Sequence, residues 1–267
     1  MEHTKQRIVV KVGTSTLTHD SGSLDLRSME HLVRTLSDLH GMGHEIILVT
    51  SGAIAVGTAK LGLAERPKEL RMKQAAAAVG QCRMMHIYDK LFSEYNRSVA
   101  QILLTGDDVE DPSRAEHLHS TFSALLEMGV IPVVNENDSV SSAEIETGRH
   151  KVLGDNDTLS AIVAELCRAD LLVLLSDIEG LYTADPRQDR SARLVPVVEA
   201  VTPEIEALAG GKGSELATGG MATKLRAAKM VTARGCDMVI TNGEHPERLY
   251  DIVEGKAVGT RFLGSNK

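Results

Sequence analysis

The chain contains no tryptophan, and aromatic side chains make up only 3% of it, so a stacking platform for single-stranded nucleic acid is not expected. Nor is there a surplus of positive charge. A formal net charge of -8 argues against a surface that follows a nucleic-acid backbone. A mononucleotide is still allowed, because its phosphates need only a local positive site. The cysteines Cys82, Cys167 and Cys236 are odd in number, widely spaced and outside any CxxC pair. They read as reduced, mostly packed thiols of a cytosolic protein. No apolar run reaches the roughly 20 residues of a membrane span, and the opening MEHTKQRIVVKV lacks the apolar core of a secretory signal. A cytoplasmic enzyme with no membrane and no nucleic-acid partner is therefore expected. The common phosphate and nucleophile motifs are absent too: there is no GxxxxGK[ST], no GxGxxG behind the first strand and no GxSxG elbow.

What is present is an alternation of short β-branched runs and helical periods. With 267 residues the chain can bury a substantial core. Strands are expected at 7–12, 45–50, 98–104, 130–134, 170–175, 236–241 and 258–262. Leu26, Met29, Leu32, Val33, Leu36 and Leu39 repeat at helical spacing up to Gly41, and further helices are expected over 66–95, 114–128, 158–168, 203–209, 221–234 and 246–254. Within 66–95, Gly80 reads as a break and Met72, Met84 and Met85 as core filler. TGDDVEDPSR reads as a solvated acidic turn, 143–152 as a hairpin and 210–214 as a mobile loop. Such alternation implies a mostly parallel sheet covered on both faces.

Each strand ends in small polar residues, as in folds that bind ligands at the carboxyl edge of a sheet. Lys11 stands at the end of the first strand, Ser51-Gly52 after the second, Asn135-Glu136-Asn137-Asp138 after the fourth and Ser176-Asp177 after the fifth. Gly154-Asp155-Asn156-Asp157 opens a helix, where one carboxylate would serve as a cap and three polar residues exceed that need. The stretch ATGGMATK is expected to turn at Thr218, Gly219 and Gly220 and to carry Lys224 in the first turn of the next helix. A lysine there opposes the helix dipole unless an anion sits in front of it. Lysines and Asp/Asn loops without a nucleophile or base suit phosphoryl transfer, which is mostly positioning and charge neutralisation.

KVGTSTLT, VTSGAIAVG, NENDSV, GDNDTLSA, LLSDIEGLYTADP and ATGGMATKLRAA, in that order, resemble the glutamate 5-kinases of the amino acid kinase family. The resemblance implies an α/β fold, a three-layer αβα sandwich with a mainly parallel central sheet. It implies a single domain over 1–267, in which about 1–168 holds the amino acid and about 169–267 holds ATP. The implied reaction gives γ-glutamyl 5-phosphate and ADP from L-glutamate and ATP with Mg²⁺, the first step of proline synthesis. Lys11 and Lys224 match the lysines that stabilise the phosphoryl group in flight, and Asp157 the aspartate that orients them. Ser51, Gly52, Asp138 and Asn156 match positions that hold glutamate, with Asp138 facing its ammonium group. Lys11, Ser176, Asp177, Thr218, Gly219, Gly220, Met221, Ala222, Thr223 and Lys224 match nucleotide contacts, and no side chain is assigned to the metal. A γ-carboxylate with a pKa near ~4.3 is already ionised at neutral pH, so the chemistry needs no general base.

Three departures stand out. Many members continue into a C-terminal PUA domain, whereas this sequence matches a short form; Ala217 stands where a glycine is usual; and TGRHKV lengthens the hairpin before GDND. The family resemblance further implies a homo-oligomer, dimer or tetramer, and inhibition by proline involving 107–116 and 143–152. It leaves open whether a glutamyl phosphate reductase docks to take the labile product. Rival readings are a kinase of the same fold acting on N-acetylglutamate, aspartate, carbamate or a nucleotide, and a non-catalytic amino-acid sensor.

Overall fold

The computed structural model describes residues 4–141, 153, 155–209 and 219–265. In chain order the elements are β1 (Arg7–Val12), α1 (Thr14–Leu17), α2 (Leu26–Gly41), β2 (Glu45–Val49), α3 (Ala53–Lys60), α4 (Leu70–Glu94), β3 (Val99–Leu104), α5 (Gly106–Glu110), α6 (Pro112–Glu127) and β4 (Ile131–Glu136). Then follow α7 (Asn156–Leu166), β5 (Leu171–Ser176), β6 (Val197–Val198), α8 (Pro203–Leu208), α9 (Gly219–Thr232), β7 (Asp237–Asn242), α10 (Arg248–Val253) and β8 (Thr260–Phe262).

The strands form one sheet in the order β3-β4-β2-β1-β5-β7-β8-β6. All pairings are parallel except that of β7 with β8. The reason lies in the strand sequences. LLVLLS of β5 is buried at every position, as a strand covered on both faces must be, and each of its leucine and valine side chains contributes about 1.5–3 kcal/mol by leaving water. Alternation sorts β1 between the two faces. Ile8, Val10 and Val12 join the core beneath α2, α3, α4 and α10, whereas Val9 joins the core beneath α6, α7 and α9. Lys11 follows Val9 to that second face. The result is the expected three-layer αβα sandwich. Among the described residues no helix is long and apolar enough to cross a membrane.

The structure departs from the sequence expectations in four places. Helix α4 runs unbroken through Gly80, because this glycine serves close packing rather than termination. A Cβ on Gly80 would sit 1.8 Å from the Ala53 carbonyl oxygen, and one on Gly57 would sit 1.7 Å from that of Ala76. The two glycines let α3 and α4 press backbone to backbone. Second, the acidic turn is helical. Thr105 and Asp108 form a capping box for α5, and Asp111 caps α6 through the amides of Ser113 and Arg114. Third, of Met72, Met84 and Met85, Met84 is fully buried and Met85 packs against the core, while Met72 is exposed near the start of α4. Fourth, the short edge strand β6 has no counterpart in the sequence pattern, since two residues carry no period. The hairpin expected at 143–152 and the loop at 210–214 lie outside the described residues.

Candidate active site

The carboxyl ends of β1, β2, β4, β5 and β7 share one edge of the sheet, and β1 lies between β2 and β5. The connection from β1 leads to β2 and that from β5 leads to the β6–β7 side, so the β1/β5 boundary is the switch point where such sheets open a crevice. Two helices aim their N-termini at this edge. Helix α7 is capped by Asp155, whose Oδ1 accepts from the Thr158 amide at 2.8 Å, and Asp157 sits in its first turn. Helix α9 begins at Gly219, so Gly219 and Gly220 are helical rather than part of a preceding turn.

This start corrects the expected place of Lys224, which lies in the second turn of α9, not the first. Its side chain reaches back along the helix, as helical side chains do. Nζ donates to Asp157 Oδ2 at 3.0 Å and lies 3.3 Å from the Gly220 carbonyl oxygen. Thr223 joins the same carboxylate, with Oγ1 2.8 Å from Oδ2. From the end of β1, Lys11 Nζ approaches Asp157 Oδ1 to 2.7 Å, an ion pair by distance although it is not aligned as a hydrogen bond. Asp157, Lys224 and Lys11 are 4%, 7% and 9% exposed, so two cations and one anion are shut in together. Burial pushes the Asp157 carboxyl up, but the Lys11 and Lys224 ammonium groups outweigh that and hold it below its ordinary value. The carboxylate is thus ionised and the cluster carries one positive charge in excess. A buried ion cluster is weak evidence for stability. An uncompensated cation at a crevice is instead suited to an anion.

A second polar cluster runs beside the first. Asn156 Nδ2 donates to the Thr50 carbonyl at 2.7 Å and to Asn135 Oδ1 at 3.3 Å, and Asn135 Nδ2 donates to Gln81 Oε1 at 3.0 Å. Ser51 Oγ donates to the Val12 carbonyl at 3.1 Å and accepts from Thr14 Oγ1 at 3.2 Å, tying together the loops after β1 and β2. Gly52, at φ 100°, takes the left-handed conformation that starts α3, and a side chain there would meet Thr14 at 3.1 Å. Asp138 lies in the turn after β4 and lines a cleft of about 390 Å³ together with Gln81, Cys82, Met85 and Glu136.

On the opposite side of β1, Ser176 ends β5 and its Oγ donates to Asp177 Oδ1 at 3.0 Å. Of the α9 residues, Met221 packs against the core, Ala222 is exposed, and Thr223 and Lys224 turn to Asp157. Thr218 lies outside the described residues.

Residues 6–242 match the Amino acid kinase family. The chain is 53% identical over 258 residues to the glutamate 5-kinase of Clostridium perfringens, covering 97% of this chain and 95% of the relative. It is 54% identical over 257 residues to that of Clostridium tetani, covering 96% and 94%. The chain belongs to the glutamate 5-kinase branch of the amino acid kinase family.

The fold agrees. A carbamate kinase from Giardia lamblia bound to AMP-PNP superposes with a TM-score of 0.67 over 98% of this chain and 99% of that one, at 17% identity. Against this family background, the structure brings Lys11, Asp157 and Lys224 into direct contact, places Ser51, Gly52 and Asp138 after the adjoining strands and sets Asn156 at the start of α7. It also adds two residues that the sequence analysis did not single out, Thr14 and Gln81, and gives Asn135, expected in a polar loop, a buried place in β4 with defined partners. Gln81 lies among alanines and methionines of a long helix, and nothing local marks it.

Proposed function

We propose that this chain transfers the γ-phosphoryl group of ATP to the γ-carboxylate of L-glutamate, giving γ-glutamyl 5-phosphate and ADP. The observation that carries the reading is the Lys11–Asp157–Lys224 cluster, with its excess positive charge at the sheet's switch point. The glutamate 5-kinase relatives support the choice of acceptor. A γ-carboxylate oxygen forms a bond to the γ-phosphorus while the bond from that phosphorus to the bridging oxygen breaks, and the electron pair leaves on ADP. No proton moves, so no base is required. The obstacle is repulsion between carboxylate and triphosphate. Lys11 and Lys224 neutralise the oxygens of the moving phosphoryl group, and Asp157 keeps the two ammonium groups apart and aimed.

Mg²⁺ enters as part of MgATP, bound through the phosphates. Both oxygens of Asp157 are engaged by lysines, so this carboxylate is not free to take the metal. Ser51, Gly52, Asp138 and Asn156 hold glutamate, Asp138 facing its ammonium group. Ser176, Asp177 and 218–224 hold the nucleotide. In this reading about 1–168 is the acceptor half and about 169–267 the nucleotide half of one domain whose sheet runs through both. The protein works in the cytoplasm as a homo-oligomer, and proline acts at or beside the glutamate pocket, with 107–116 and 143–152 contributing. A glutamyl phosphate reductase is the class of enzyme that would consume the labile acyl phosphate.

The test is ATP- and Mg²⁺-dependent acyl phosphate formation, trapped by hydroxylamine, with glutamate, aspartate and N-acetylglutamate in parallel. A hydroxamate from glutamate alone is expected. A hydroxamate from another acid would move the acceptor, and none from any of the three would overturn the kinase reading in favour of a sensor.

A further inference from the structure

Gln81 is the residue of this site that its surroundings do not explain. It is 7% exposed on α4, and its Nε2 has no hydrogen-bond partner among the described residues. A buried amide left half satisfied is a cost that a methionine or leucine of similar volume would avoid. Such a group persists where its other half does something specific. Here the other half is Oε1, which accepts from Asn135 Nδ2 at 3.0 Å.

That bond sets a direction along a chain of amides. With Nδ2 committed to Gln81, Asn135 must turn Oδ1 the other way, and Oδ1 accepts from the Glu136 amide at 2.9 Å and from Asn156 Nδ2 at 3.3 Å. Asn156 Nδ2 also donates to the Thr50 carbonyl at 2.7 Å, so both of its bonds pull the amide one way. Asn156 precedes Asp157 in the first turn of α7. Rotating either asparagine amide by half a turn would set nitrogen against nitrogen or oxygen against oxygen. The Glu136 amide and the Thr50 carbonyl favour these orientations, and Gln81 Oε1 adds the acceptor that Asn135 Nδ2 needs to hold the same one.

We propose that Gln81 is a positioning residue for the acceptor pocket: it holds the Asn135 amide in one orientation and, through it, the amide of Asn156. The proposal rests on the reading of Asn156 as an acceptor-binding residue. The binding group presented to the substrate is then the Asn156 carbonyl oxygen, kept outward because its nitrogen is anchored inward. Helix α4 is fit for this task, since Gly80, beside Gln81, seats it backbone to backbone on α3.

The test is steady-state kinetics of Gln81→Met, with whichever acid the wild-type chain phosphorylates as acceptor. A wild type that prefers aspartate would thus overturn the glutamate reading and leave the test of Gln81 in force. We expect a roughly tenfold rise in the acceptor KM, the size of one lost buried hydrogen bond, with kcat and the KM for ATP within about twofold. Tyr95→Phe is the control. It removes the 2.6 Å bond from Tyr95 at the C-terminus of α4 to Glu30 and touches no amide of the chain. It should leave the acceptor KM unchanged. In an Asn135→Ala background the effect of Gln81→Met should disappear. An unchanged acceptor KM in Q81M, or a rise of the same size in the N135A background, would overturn the proposal. So would a parallel loss of kcat and of ATP affinity, which marks a structural role. Should Q81M fail to fold, Gln81→Leu, which likewise offers Asn135 Nδ2 no acceptor, carries the same predictions.

Discussion

The cluster around Asp157 and the amide chain from Gln81 to Asn156 meet at one peptide bond, yet one is ionic and the other neutral. Around Asp157 every charged group has an opposite charge within 3.0 Å, and the surplus is positive. Along the amide chain no group is charged, every bond has a direction, and one donor at the end is left over among the described residues. Charge and direction do different work. Point charges such as ammonium groups neutralise a phosphoryl group through a range of geometries, as the transferred group moves between donor and acceptor. Amides discriminate, because a buried amide offered the wrong partner loses a hydrogen bond outright. On the proposed reading, one cluster moves a charged group and the other chooses what receives it.

The comparison can be broken at the ionic end first. Lys224→Ala should lower kcat by roughly 10²–10³, as the loss of one transition-state donor does, and leave the KM for glutamate little changed. A kcat within threefold of wild type would remove Lys224 from the chemistry. Retained turnover with lost glutamate binding would reverse the roles of the two clusters.

Asp157→Asn should cost on the order of 3–5 kcal/mol in urea unfolding near neutral pH, because two buried ammonium groups lose their counter-charge. The effect has a signed pH dependence. The Asp157 carboxyl is held below its ordinary value of 3.8, so its contribution is complete above that value and lost as the pH falls through the lower folded-state value. The stability gap between wild type and D157N should therefore close only below about pH 3.8. A gap that closes at higher pH would mean that the ion cluster is not its source.

Gly80→Ala sharpens the neutral side. The added Cβ would fall 1.8 Å from the Ala53 carbonyl oxygen, so α4 must shift, at a cost of about 1–3 kcal/mol. Because Gln81 moves with it, the acceptor KM should rise before the KM for ATP does. An equal rise in both would mean that α4 supports the whole edge and not the amide chain.

Much of this was legible along the chain. Strand ends followed by small polar residues marked the edge where the site lies, because a parallel sheet must turn at its carboxyl ends and buried strands cannot hold those residues. Lys11, Asp157 and Lys224 could each be singled out from their local setting, whereas the caps that Asp25 and Asp111 provide for α2 and α6 were not read from the sequence. Gly80 misled because a glycine has two uses in a helix, and which applies depends on what lies against it. The turn of α9 that carries Lys224 was misplaced by its two glycines for a related reason, since packing against α7 can hold a helix through residues of low propensity.

By itself, then, the sequence determined the layers, the central parallel strands and the identity of the charged residues, all of which follow from periods of two and 3.6 and from the rarity of lysine at a buried strand end. The tertiary structure alone decided the pairing of both lysines with one carboxylate and the linking of Gln81 to Asn156 through Asn135. These contacts join residues 67 and 54 positions apart, and for them no local pattern exists. Their distances are set by how β1, β4, α4, α7 and α9 pack, which is a property of the whole core.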